Sequence, residues 1–154
     1  SLPADAIAEM RAASKFNQGF ANTEFVAAAM LDMRWHIRDV PLSGSAAEFE
    51  AAVLRDIGLM EAIEPRYRSA FFEHIFAGGY SAGYYSYLWS AVLDCDAFAA
   101  FKDAGSVFDN ETANRFRSEV LEKGDSEDAM TLYRRFRGRD PDIAALLHDR
   151  GLTD

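Results

Sequence analysis

A chain of 154 residues with 49% apolar side chains is long enough to bury the core of one domain, which excludes a disordered tail. Acidic residues outnumber basic ones 25 to 16, and the resulting net charge of −9 excludes a basic nucleic-acid-binding arm and argues against grip on anionic lipid. The single cysteine, Cys95, permits no internal disulfide and no thiolate metal cage. No run approaches the roughly 20 apolar residues of a membrane helix, and Ser1 to Asp5 lack a charged, then apolar, leader pattern.

Four prolines, at 3, 41, 65 and 141, divide runs rich in Ala, Leu, Met, Glu and Arg, so the chain is expected to be all-α, a multi-helix bundle within a single domain over residues 1–154. The first helix places Ile7, Met10, Arg11 and Ser14 on one face and is expected to stop near Asn17 to Gly19. A second, over Thr23 to Arg38, repeats Phe25, Val26, Ala29, Met30, Met33 and Ile37 with a 3.6-residue period. Ser45 with Glu48 forms a capping box that opens a third, whose stripe is Phe49, Val53, Leu54 and Ile57, with Gly58 as its cap. Ala82 to Lys102 is read as a central helix with Leu88, Val92, Cys95 and Phe98 inward, closed by Gly105. Thr112 to Lys123, Ser126 to Phe136 and Asp142 to His148 complete the set. The basic run Arg134 to Arg139 is read as a solvated or ion-paired face rather than a nucleic-acid patch, given the net charge.

The segment with the most unusual composition is Tyr67 to Trp89, where nine of 23 positions are aromatic and five of the six tyrosines fall together. A buried tyrosine hydroxyl must find a partner or lose roughly 1–3 kcal/mol, so clustered tyrosines point either to a polar cavity or to an aromatic core with hydroxyls on backbone carbonyls. On one helix, Tyr80, Tyr84 and Tyr87 would share a face. Gly78 and Gly79 break the aromatic run and permit positive φ or a close backbone approach, so a bend or mobile loop is expected there. His74, just before it, is either structural or a donor to a substrate carbonyl. His36, His74 and His148 give no metal-ligand spacing, Cys95 reads as core, and serine-hydrolase, P-loop and dinucleotide chemistries are not expected.

The stretches Pro65-Arg66-Tyr67-Arg68-Ser69 and His74 through Gly78-Gly79-Tyr80-Ser81-Ala82-Gly83-Tyr84-Tyr85-Ser86-Tyr87-Leu88-Trp89-Ser90 resemble the C-terminal part of the thimet oligopeptidase and oligopeptidase A family of zinc metallopeptidases, and within it the bacterial peptidyl-dipeptidase branch. Phe16-Asn17-Gln18-Gly19-Phe20 on one side, and Phe136-Arg137-Gly138-Arg139-Asp140-Pro141 with Arg150-Gly151-Leu152 on the other, extend the resemblance over nearly the whole chain. Two departures, Gly124-Asp125-Ser126 where the family usually has two glycines and a serine, and Ala91 after Trp89-Ser90, lie outside the motif from His74 to Tyr87.

The resemblance implies one wall of a deep channel between two largely helical halves. It assigns His74, Tyr80 and Tyr87 to catalysis, as groups that contact substrate and stabilise a tetrahedral intermediate, and Gly78, Gly79 and Tyr84 to substrate binding, with Gly83 also in the flexible loop. It places the zinc on a His-Glu-x-x-His helix and a later glutamate that are not in this chain, so no metal ligand is expected here. The chain is thus expected to be a C-terminal fragment, inactive alone, of a bacterial cytoplasmic enzyme acting on oligopeptides. Its missing half is its natural partner, and homodimerisation through the exposed interface is a further expectation. The competing expectation is a non-catalytic helical module that binds peptides or proteins.

Overall fold

The computed structural model describes residues 2–153; Ser1 and Asp154, and with them the first residue of the leader reading, lie outside the described residues. Every regular element described is helical, and the chain divides into two compact units, the first ending at Tyr87 and the second beginning at Leu88.

The first unit holds α1 (Ala4–Ser14), α2 (Gln18–His36), α3 (Ala46–Asp56) and the single turn α4 (Glu73–Phe76), which follows a 3-10 turn at Ser69–Phe71. The break after α1 is as expected, but α2 begins at Gln18 rather than Thr23, because one left-handed residue, Asn17 at φ 57°, suffices to turn the chain back into helix. The inward face of α2 also differs from expectation. Ala27, Ala28, Ala29, Leu31 and Asp32 are buried, whereas Val26, Met30, Met33 and Ile37 are exposed. A helix apolar on two faces gives a periodicity that cannot tell which face is covered. Similarly, α1 buries none of its residues.

The capping box that opens α3 forms as read: the Glu48 amide donates to Ser45 Oγ at 3.2 Å and the Ser45 amide to Glu48 Oε2 at 2.8 Å. Behind it Trp35 packs on Phe49 at 4.3 Å, and Gly58 follows α3 at φ +72°. The core of this unit is Ala28, Ala29, Phe72, Ile75 and Tyr84, with Phe25, Trp35 and Tyr67 packed against it. Small residues on α2 therefore let an aromatic layer approach its backbone closely.

Helix α5 spans Ser86–Asp103, so the unit boundary falls inside it, and its start is four residues later than the expected Ala82. The reason is local: Ala82 sits at φ 54°, which no helix accommodates. Its buried face is Val92, Asp96 and Ala100, whereas Phe98 of the expected stripe is exposed and Leu88 and Cys95 are half-buried. The polar Asp96 was invisible to a reading based on apolar period. Beyond it come α6 (Asn110–Phe116), a π turn at Arg117–Leu121 that replaces the last part of the expected helix to Lys123, α7 (Ala129–Arg137) and α8 (Ala144–Asp149). Helix α7 begins at Ala129 rather than at the expected Ser126, with Asp128 as its cap accepting the Thr131 amide at 2.8 Å.

In this second unit Asp96 is buried and takes the Tyr133 hydroxyl at 2.6 Å and the guanidinium of Arg139, with Arg137 Nε 3.6 Å away. Burial pushes the Asp96 carboxyl up, but Tyr133, Arg139 and Arg137 together outweigh it and hold the group below its usual range. The basic run is accordingly an ion-paired face: Arg134 meets Asp140, Arg135 meets Glu127, and Arg137 meets Asp103.

Candidate functional site

The residues from His74 to Tyr87 do not lie on one helix, yet the structure brings them together. Tyr80 lies in the irregular segment before the 81–85 turn, Tyr84 in that turn, and Tyr87 at the start of α5. Tyr80 stacks on Tyr87 with ring centres 5.1 Å apart, Tyr87 meets Tyr84 edge-on at 5.2 Å, and the His74 ring lies 6.2 Å from Tyr80 and 5.8 Å from Tyr84. Expected on a shared helical face, the three phenols instead gather through a folded loop.

Gly78 and Gly79 serve the two purposes expected of them, one each. A Cβ on Gly78 would come within 2.9 Å of the His74 Cα and 3.0 Å of its carbonyl oxygen, and Gly79 adopts φ +82°. The loop so formed closes on α4: the Gly78 amide donates to Glu73 O at 2.9 Å, the Tyr80 amide to His74 O at 3.0 Å, and Ser81 Oγ to Ile75 O at 2.6 Å.

Gly79-Tyr80-Ser81-Ala82-Gly83 has the G-x-S-x-G spacing of a serine-hydrolase elbow, contrary to the expectation that this template is missing. The segment lacks the elbow's architecture, since it follows a helical turn rather than a strand, and the Ser81 hydroxyl is spent on a backbone carbonyl. The serine-hydrolase exclusion therefore rests on structure, not on a missing motif.

The two readings of the tyrosine cluster divide between its members. Tyr84 is core: it is 2% exposed, packs on Phe25 and Phe72, and burial pushes its phenol up to about 12. Tyr80 and Tyr87 are each more than a third exposed, and His74 is half-buried. The hydrogen bond with Tyr80, followed by desolvation, raises the Tyr87 phenol above its ordinary value.

Supports for this cluster come from the Pro65 to Ser69 stretch, whose role is not legible in the sequence, and from Glu50, Trp35 and Asp32, which it does not single out. Tyr67 stacks on Phe72 at 5.0 Å and touches His74 at 4.9 Å, and Arg66 lies over Phe25 at 5.7 Å. Buried Glu50 on α3 accepts the Ser69 amide at 2.6 Å and pairs with Arg68, while Trp35 Nε1 donates to Ser69 Oγ at 2.9 Å. Burial pushes the Glu50 carboxyl up, but the Ser69 hydrogen bonds and Arg68 prevail and hold it below the usual carboxylate range. Asp32, under the loop, is also buried. A charged residue within the apolar run 27–33 was the one signal that could have found it.

No group of three or more His, Cys, Asp or Glu among the described residues has the arrangement to hold a metal ion. Cys95 is half-buried, and desolvation raises its thiol above the ordinary value, as befits a packing residue. In the first unit an apolar recess of about 280 Å³ is lined by Val26, Met30 and Met60, and in the second one of about 360 Å³ is lined by Trp89, Leu93, Phe116 and Met130. No described helix is long and apolar enough to cross a membrane.

An all-helical scaffold gathers an imidazole and two partly exposed phenols at a loop that contains Gly78 and Gly79. Residues 1–152 match the model of Peptidase family M3, and the chain belongs to that family. It is 46% identical over 98% of its length to a dipeptidyl carboxypeptidase of Salmonella typhimurium and 43% identical over 99% to that of Escherichia coli, spanning 22% and 23% of those proteins. It is 37% identical over 98% of its length to oligopeptidase A of Escherichia coli, of which it spans 22%.

Proposed function

We propose that this chain is the C-terminal substrate wall of a zinc peptidase of the cytoplasm of a bacterium, one that releases dipeptides from the C-terminus of short oligopeptides. The observation that carries the reading is the juxtaposition of His74, Tyr80 and Tyr87 at an exposed, glycine-hinged turn. In this role the phenol protons of Tyr80 and Tyr87 and an N–H of His74 are aimed at the oxygen that gains charge when a peptide carbonyl becomes tetrahedral. Donors placed for the transition state rather than the ground state raise turnover, and each is worth about 100- to 1,000-fold.

Gly78 and Gly79 let the loop close over bound peptide, with Gly83 in the same turn. Tyr84, assigned to substrate by resemblance, acts in this conformation from beneath, as the ring on which Tyr87 and His74 rest. The metal belongs to the remainder of the protein, which is also this chain's natural partner.

The test is hydrolysis of a fluorogenic peptide with a free C-terminal dipeptide, run in the presence of zinc on this chain and on the full-length protein side by side. Turnover by the full-length protein alone is the expected result. Turnover by neither supports a binding module, and turnover by this chain contradicts the placement of the metal outside it.

A further inference from the structure

The loop that carries the outer tyrosines owes its path to a side chain on another helix. Asp32, fully buried on α2, receives the Ala82 amide on Oδ1 and the Tyr84 amide on Oδ2, each at 2.9 Å. A left-handed residue in a turn lets nearby backbone N–H groups converge on a single anion. Ala82 at φ 54° is such a residue, and the Asp32 carboxylate is the anion. The left-handed alanine is unfavourable in itself, so the carboxylate is what holds it.

One turn further along α2, His36 Nδ1 lies 2.7 Å from Asp32 Oδ1 and 2.9 Å from the Asp32 carbonyl oxygen. Both are acceptors, so this nitrogen carries the proton and donates, leaving the carboxylate oriented by three donors. The ring of His36 is in turn set against Phe76 at 5.8 Å. The amides that Asp32 holds are flanked by Tyr80 two residues before and Tyr87 three residues after.

We propose that Asp32, oriented by His36, is a positioning residue for the peptidase reaction: it fixes the 82–84 turn and so stacks Tyr80 on Tyr87 in donating geometry. This rests on the reading of those two phenols as donors to the reacting carbonyl. Replacing Asp32 by Asn keeps the shape but sets an amide NH₂ against an N–H donor, so one anchor opens and the phenols drift. Misplacing reacting groups by about 1 Å costs up to about 100-fold in rate.

The experiment compares Asp32→Asn and Tyr80→Phe in the full-length zinc enzyme, measuring kcat, KM and the inhibition constant of a phosphinic peptide that mimics the tetrahedral state. For Asp32→Asn the expected result is a kcat lowered about 10- to 100-fold, KM within about 3-fold of wild type, and the phosphinic peptide weakened by the same factor as kcat/KM. A merely structural role lowers the active fraction and leaves the inhibition constant and KM unchanged. Faster hydrogen exchange at the amides of 82 and 84 accompanies the predicted loss. Should Asp32→Asn fail to fold, His36→Phe, which keeps a ring and removes the donor, is expected to move kcat and the inhibition constant in the same direction by about 3-fold or more.

Tyr80→Phe impaired with Asp32→Asn (or His36→Phe) at wild-type values overturns this inference alone. Tyr80→Phe at wild-type values overturns the reading of the site and this inference with it.

Discussion

Asp32 and Asp96 are both buried carboxylates on helices, but Asp32 takes two backbone amides of the 82–84 turn beside His36 of its own helix, whereas Asp96 takes only the side chains of Tyr133 and Arg139. A carboxylate spent on backbone N–H groups dictates a chain path, including the left-handed Ala82 that delays α5 to Ser86. One spent on side chains joins residues far apart in sequence and sets no backbone path of its own. The first arrangement underlies an exposed, chemically equipped loop; the second underlies packing. Burial of charge is thus a poor guide to function until the donors are named.

The largest effect that sharpens this contrast is on stability. Asp96→Ala leaves the buried Tyr133 hydroxyl without its acceptor, which costs about 1–3 kcal/mol, while the 43% exposed Arg139 regains water. Chemical denaturation of the full-length protein measures it, and a cost like that of an ordinary surface substitution would show that Asp96 is not the staple described. The pH dependence follows from the depressed carboxyl. Folded Asp96 binds fewer protons than unfolded Asp96 does near its ordinary value of 3.8, so its contribution is complete above that value and drains away as pH falls through the lower, folded one. The stability gap between wild type and Asp96→Asn is therefore expected to hold from pH 7 to pH 5 and to narrow below about 3.8.

A smaller effect belongs to the loop. Gly78→Ala places a methyl within 2.9 Å of backbone at His74, which cannot swing aside, so the α4-to-loop junction must shift and turnover fall. Gly79→Ala meets no atoms but bears a left-handed φ, costing roughly 1–2 kcal/mol. Turnover and thermal unfolding measured together separate the two: Gly78→Ala is expected to lose more kcat per degree of lost stability than Gly79→Ala.

The helical class, the capping box at Ser45 and the role of the paired glycines were legible because each depends on residues adjacent in sequence. The inward faces of α2 and α5 were not. On α2 two faces are apolar, and on α5 the buried face runs through Asp96, whose partners lie 37 and 43 residues away. Tyr80, Tyr84 and Tyr87 were singled out by composition, and the resemblance gave them roles. Their gathering depends on Asp32, 50 residues before Ala82, a contact that no local pattern encodes. That dependence is also why the spacing argument placed all three on one helix.

The account stands or falls on what the outer phenols do. The most direct test is kcat and KM of the full-length enzyme with Tyr80→Phe and Tyr87→Phe, each of which removes one hydroxyl and keeps the ring stack. The account predicts kcat lowered about 100- to 1,000-fold for each with KM little changed, the mark of an interaction made in the transition state. Wild-type kcat in both variants would contradict it and return the tyrosines to the aromatic core.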